Sequence, residues 1–122
     1  MHEWNVLIGW CGMVAGALLG LTFGLWAESR EWAGGYASFR RQAMRLGHVA
    51  AFALGMMNVI YGFCIVQLTV LPTWLQMAGS VAMIAGGVLM PAVCLLAAWR
   101  RPMKYLFPLP ATCVLVAVGI QA

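Results

Sequence analysis

His48 is the residue of this chain with the clearest capacity for chemistry, and Arg41 and Arg45 precede it closely in the sequence. An imidazole nitrogen can ligate haem iron, and arginine pairs well with carboxylates such as haem propionates. One hypothesis is therefore a haem b that is held by His48, with its propionates toward Arg41 or Arg45. A second hypothesis is a quinone headgroup that is hydrogen-bonded to His48. Both ligands belong to membrane electron-transfer complexes.

A structural role for His48 stays open beside these hypotheses. A histidine at the membrane boundary also hydrogen-bonds to a backbone carbonyl, a partner subunit or a lipid phosphate. Haem with two histidine ligands would need a second histidine, and His2 is expected about 30 Å away, at the far end of the first apolar run. A homodimer or a partner chain would have to supply the second ligand.

The four cysteines do not indicate a metal site. They are dispersed singly among apolar residues, without a CxxC pair, as Cys11, Cys64, Cys94 and Cys113. This spacing argues against a zinc site or a thioredoxin-like motif, so we expect small packing residues. The only metal ligand that the sequence offers is then His48, and only if haem is present.

The composition determines where these residues must lie. The chain has 122 residues, of which 64% are hydrophobic and 8% charged, and its mean hydropathy is +0.90. A soluble domain carries about 25% charged residues, so most of this surface must face lipid. The apolar runs extend over about 5–26, 44–68, 73–99 and 103–120. We predict an all-α integral membrane protein, with residues 1–122 forming a single domain of four transmembrane helices.

The charges predict the orientation of these helices. The net charge is +4, and the basic residues fall into two connections. Arg30, Arg40, Arg41 and Arg45 lie between spans one and two, and Arg100, Arg101 and Lys104 between spans three and four. Positive charge marks the cytoplasmic side, so both termini are expected outside, and a bacterial cytoplasmic membrane is the expected location. The excess charge is thus a topology signal, and no nucleic-acid partner is expected.

The acidic start, with Glu3 and no Lys or Arg, predicts a retained first span rather than a cleaved signal peptide.

Small residues predict which helix faces pack. The first span carries Gly12, Gly16, Gly20 and Gly24, and the second carries Gly47, Ala51, Gly55, Asn58 and Gly62. Such stripes allow helix backbones to approach closely. The opposite side of the second span is then expected to face lipid, with Met57, Ile60, Tyr61 and Cys64. The stripes exceed what one four-helix bundle needs, so we expect other membrane subunits, or further copies of this chain, as partners.

Two irregular regions are predicted. Pro91 removes a helical hydrogen bond in the third span, so a kink is expected near Gly87. Gly34 and Gly35 argue against one continuous helix through the connection 32–42. That connection is either a solvated loop or an interfacial segment with Arg40 and Arg41 toward lipid phosphates.

Polar residues within the spans are few, which argues against ion-coupled transport. There is no Asp, and the three Glu residues lie outside the spans. The small multidrug resistance transporters are similar in length and span number, but their exchange depends on a Glu in the first span, which this chain lacks. Asn58 is expected to hydrogen-bond to another helix or to the carbonyl freed by Pro91. An oligomeric transporter or channel lined by Asn58, Thr22, Ser80 and the Pro91 bend is an alternative.

The sequence therefore predicts a small accessory or structural subunit of a larger membrane complex, with respiratory or photosynthetic electron transfer as its setting. The alternatives are a small dimeric b-type cytochrome or quinone-binding anchor and, second, the transporter or channel. No nucleophile, base and orienting group can be placed together, so no catalytic residue is assigned.

Overall fold

Four long helices make up the protein. The computed structural model describes residues 1–26, 28–67 and 70–122. In chain order it contains α1 (His2–Trp26), a 3₁₀ turn (Trp32–Gly34), α2 (Phe39–Ile65), α3 (Thr73–Trp99), a second 3₁₀ segment (Arg101–Leu106) and α4 (Pro108–Gln121). Helices α1, α2 and α3, and the segment Arg101–Gln121 that contains α4, are each long and apolar enough to cross a membrane. The all-helical architecture is confirmed, and the four helices indicate an integral membrane protein.

The start of α2 differs from the prediction. The helix begins at Phe39 rather than near Met44, because Ser38 caps it: the Arg41 backbone N–H donates to Ser38 Oγ at 3.2 Å. A serine in this position satisfies an amide that the first turn leaves unpaired. The predicted connection 32–42 is therefore shorter. The predicted end of this span at Leu68 lies outside the described residues.

The turn before α2 explains why one helix does not continue from α1. Ala33, Gly34 and Gly35 have φ values of 56°, 85° and 91°. These left-handed conformations cost glycine little, which is why two glycines stand here. The expected interruption at this pair of glycines is confirmed.

The helices pack mainly in chain order. α1 packs on α2, α2 on α3 and α3 on α4, whereas α1 touches α3 less extensively. One core cluster joins α2, α3 and α4 through Tyr61, Ile65, Met83 and Ala117. A second lies toward the other end and joins α2 to α3 through Ala43, Met44 and Ala98. α3 is continuous through Pro91, and the kink stays a prediction.

Both basic connections lie at the same end of the bundle, which we call the basic end. The Arg40 guanidinium lies 5.3 Å from the ring centre of Trp99, at the end of α3. The Arg101 guanidinium lies 5.8 Å from the ring of Phe39, at the start of α2. This arrangement is what the positive-inside rule requires of two cytoplasmic connections. The orientation with both termini outside remains a prediction.

Candidate functional site

The interface between α1 and α2 is formed by glycines in backbone contact. A Cβ added at Gly55 would lie 2.7 Å from the Gly9 carbonyl oxygen and 2.7 Å from the Met13 nitrogen. A Cβ at Gly12 would lie 3.3 Å from the Ala51 carbonyl oxygen. Backbone atoms cannot move aside, so only glycine fits at Gly55. Gly9 also belongs to this interface, although the predicted stripe on α1 begins at Gly12.

The predicted stripe on α1 is used over most of its length. Gly16 lies against Phe52, where an added Cβ would be 2.6 Å from the backbone nitrogen. Gly20 lies against the His48 ring. Gly24 has no atom of another described element within 4 Å of where its Cβ would be. The close contact therefore ends before the last turn of α1.

The predicted stripe on α2 serves two different helices. Ala51, Gly55 and Gly62 face α1, and a Cβ at Gly62 would lie 2.9 Å from the His2 carbonyl oxygen. Gly47 instead faces α3, where its Cβ would lie 3.2 Å from Cβ of Cys94. α2 is thus covered by α1 on one side and by α3 on a neighbouring side.

The two asparagines of the chain form a buried cluster of hydrogen bonds, which we call the amide cluster. Asn5 on α1 is fully buried, and Asn58 on α2 is 1% exposed. Asn5 Nδ2 donates to Asn58 Oδ1 at 3.2 Å and to the Ser80 carbonyl at 3.3 Å. Asn58 Nδ2 donates to the Leu54 carbonyl at 3.0 Å and to the Met83 carbonyl at 3.2 Å. The cluster therefore ties α1, α2 and α3 together.

The amide cluster confirms one of the two alternatives predicted for Asn58, a hydrogen bond to another helix. The acceptor on α3 is the Met83 carbonyl and not that of Gly87, which Pro91 would free. Gly87 instead packs against the Asn58 amide nitrogen, where its missing side chain leaves space. Asn5 Oδ1 is buried and has no hydrogen-bond partner among the described residues.

The prediction that Tyr61 lies on the lipid side of α2 is wrong. Tyr61 is 3% exposed, and its hydroxyl lies against Gly79 of α3. Gln121 of α4 donates from Nε2 to the Tyr61 carbonyl at 3.3 Å. Met57, Ile60 and Cys64 are exposed as expected. Gly79 of α3 leaves space for the large Tyr61 ring. The stripe of small residues on α2 does not predict this burial, because the space is provided by a different helix.

His48 lies between α2 and α1 rather than on open surface. Its ring meets Phe23 edge-on, with 6.3 Å between ring centres. A Cβ at Gly20 would be 3.0 Å from His48 Cδ2 and 3.4 Å from Nε2. Nδ1 is buried and has no hydrogen-bond partner among the described residues, so the expected bond to a backbone carbonyl is not made through this atom. Gly20 of α1 thus lies close to Nε2, one of the two nitrogens through which His48 could hold a haem.

The arginines near His48 contact aromatic rings. Arg41 is 5% exposed and lies 5.6 Å from the ring centre of Trp32 and 5.5 Å from that of Tyr36. Arg45 lies 4.3 Å from the Tyr36 ring and donates to the Tyr36 carbonyl at 3.2 Å. Phe23 contacts both Trp32 and His48, so aromatic rings occupy the space between His48 and Arg41. The expectation that Arg41 points toward lipid phosphates is wrong, because the guanidinium is buried beside Trp32 and Tyr36 of the preceding connection.

The remaining polar residues that the structure describes lie apart from one another in exposure and position. Thr22 is exposed on α1 and donates to the Leu19 carbonyl at 2.9 Å, whereas Asn58 and Ser80 are buried. Of the cysteines only Cys94 is buried, so the packing role fits that residue best. Within the described parts of the chain, no three His, Cys, Asp or Glu side chains are grouped as a metal site would require.

Comparison with known protein families, with curated proteins and with solved structures gives no match to this chain. The class of protein therefore rests on the architecture alone, which is all-helical with four helices each long and apolar enough to cross a membrane. Function has to be argued from the surfaces and polar groups of the chain itself.

Proposed function

We propose that this protein is a small accessory subunit of a larger membrane protein complex, and that it holds a transmembrane helix of a partner subunit. The observation that carries the proposal is an open groove between α1 and α3, with α2 as its floor and a volume of about 380 Å³. We call it the α1/α3 groove. It exists because α1 and α3 both pack on α2 but contact each other sparsely.

The lining of the α1/α3 groove favours a helix as the occupant. Its walls carry Gly12 and Ala15 from α1 and Gly87 and Ala92 from α3. Small residues on both walls allow a third backbone to come close, and close backbone contact is how helices associate in lipid. A rigid helix loses less conformational entropy there than a flexible acyl chain does. No charged residue lines the groove, so the partner segment is apolar.

The proposed electron-transfer setting depends on His48 alone. Its Nδ1 is a buried polar atom near the basic end that has no hydrogen-bond partner among the described residues, and such an atom is costly unless something pairs with it. A partner subunit that shifts α1 would open this position to a quinone or haem edge. A dimeric cytochrome would use His48 from two copies in the same way.

The groove is tested by photocrosslinking in native membranes. A benzoylphenylalanine at exposed Ala15 is expected to crosslink to one defined larger membrane polypeptide, whereas the same group at exposed Leu115 on α4 crosslinks to lipid only. The double substitution A15L and A92L fills the groove and should lower copurification of that polypeptide at least tenfold. Gly119→Leu adds bulk at an open position of α4 and should leave copurification unchanged.

Two results would overturn the proposal. One is crosslinking at Ala15 that yields only lipid, because the groove is then an acyl-chain site. The other is a lone polypeptide after gentle solubilisation, which removes the accessory role. An absorption spectrum of the purified complex, with and without His48→Ala, tests the electron-transfer setting separately. If the spectrum and the quinone content do not change, His48 has no cofactor role.

A further inference from the structure

A polar cavity lies at the basic end, between the start of α2 and the end of α3. Its volume is about 460 Å³, and its walls include Ser38, Phe39, Arg40, Trp99 and Arg101. We call it the arginine pocket. It is separate from the α1/α3 groove. The groove has no charged residue in its lining, whereas two arginines line the arginine pocket.

The two cations are held by crossed contacts. Arg40 of α2 lies over Trp99 of α3, and Arg101 after α3 lies over Phe39 of α2. A cation above an aromatic ring is attracted by the negative face of the ring, which orients the guanidinium without using its N–H donors. Both side chains thus line the arginine pocket in spite of their like charge.

The donors in the arginine pocket are unused within the described part of the chain. Neither the Arg40 nor the Arg101 side chain makes a hydrogen bond or ion pair there, and both residues are exposed. Each guanidinium carries five N–H donors in a planar fork that matches a phosphate or carboxylate. Two forks around one cavity with no acidic side chain in its lining leave a place for an external anion.

The backbone beside the cavity also contributes positive potential, as the two arginines do. The Phe39 and Arg40 amides, in the first turn of α2, have no hydrogen-bond partner among the described residues. The start of a long helix carries partial positive charge, which adds to the attraction for an anion. This is a supporting feature, and the paired arginines remain the main one.

The position of the cavity identifies the source of the anion. Trp99 and the nearby Trp32 carry amphipathic rings of the kind that is enriched at the level of lipid headgroups. A basic pocket between helices at this level is where an anionic headgroup can reach. We propose that the arginine pocket binds the phosphate of an anionic phospholipid, with Arg40 and Arg101 as its ligands. A free phosphate ion has the same chemistry but would lack the contact of the acyl chains with the neighbouring apolar surface.

The test is a lipid titration of the full chain in detergent micelles, followed by native mass spectrometry. The probes are dioctanoyl phosphatidylglycerol, dioctanoyl phosphatidylcholine and inorganic phosphate. The anionic lipid is expected to bind at least tenfold more tightly than the zwitterionic one. The double substitution R40Q and R101Q should abolish that preference, and higher salt should weaken it.

Matched variants separate a built site from diffuse charge. Arg30→Gln with Lys104→Gln removes the same charge from the same end, but neither residue lines the arginine pocket, so binding should change less than twofold. An equal loss in both double variants would overturn the proposal. If the glutamine variant unfolds, R40K with R101K keeps the charges but removes the planar forks, and an undiminished preference for the anionic lipid would then overturn the arginine site. Equal affinity for the anionic and the zwitterionic lipid would overturn the proposed anion site. Equal affinity for inorganic phosphate and the anionic lipid would overturn the proposal that the anion comes from a lipid.

Discussion

The α1–α2 interface and the basic end are held together by different kinds of contact. Along α1 and α2, glycines place backbone against backbone, and a Cβ at Gly55 would lie 2.7 Å from two backbone atoms. At the basic end, long side chains lie over aromatic rings at distances of 4.3–5.8 Å. Backbone contacts tolerate no added atom, whereas stacked side chains can shift together. The comparison indicates a rigid helix pair that ends in an adaptable, charged surface.

The largest effect should follow from filling the rigid interface. Gly55→Leu forces α1 away from α2, because its new side chain meets the Gly9 and Met13 backbones, and we expect a loss of about 3 kcal/mol or more in unfolding free energy. Unfolding in mixed micelles, followed by circular dichroism, measures it.

Gly24→Leu is the matched control for this change. Gly24 lies on the same predicted stripe of α1 but faces open space, so its substitution should leave stability unchanged or slightly raised. Similar losses in both variants would show that backbone contact is not what distinguishes the α1–α2 interface.

The amide cluster should give an intermediate effect. Asn58→Leu removes the acceptor of Asn5 and the donor to the Met83 carbonyl, and we expect a loss of about 2 kcal/mol, since single bonds of this kind in membranes contribute about 0.6–1.7 kcal/mol. A double-mutant cycle with Asn5→Leu measures the coupling of the two amides. Strictly additive losses would contradict a shared cluster.

The smallest effect is expected at the basic end. Tyr36→Leu removes the ring beneath Arg41 and Arg45 and should cost about 0.5–1 kcal/mol. Tyr36→Phe keeps the ring and should cost nothing measurable. If Tyr36→Leu destabilises the protein as much as Gly55→Leu does, the basic end is as rigid as the α1–α2 interface.

The sequence predicts the helices well because lipid imposes long apolar runs with few alternatives. It also predicts close contact at Gly12, Gly16 and Gly20, since a glycine every fourth residue lies on one helix face. Asn5 also carries a signal in the sequence, because it is the only asparagine besides Asn58 and both amides stand in apolar runs.

Other features depend on which helices become neighbours, which spacing alone does not determine. The prediction for Tyr61 fails because it assumes that the small residues of α2 mark a single packing face. α2 is in fact covered by α1 and α3 on neighbouring sides, and Gly79 provides the space for the ring. The burial of Arg41 was missed for a similar reason, because Ser38 starts the helix early and brings Trp32 and Tyr36 over the guanidinium.

The chain-order packing of the helices has a consequence for biogenesis. α1 and α2 make most of their contacts with each other, so they can pair as a hairpin while the rest of the chain is still being synthesised. The hydrogen bond between Asn5 and Asn58 needs no residue of α3, so it can form in such a hairpin. The carbonyls of Ser80 and Met83 then complete the set. The amide pair thus gives α3 a polar binding position on the α1–α2 hairpin, and the packing of α3 there stabilises the hairpin.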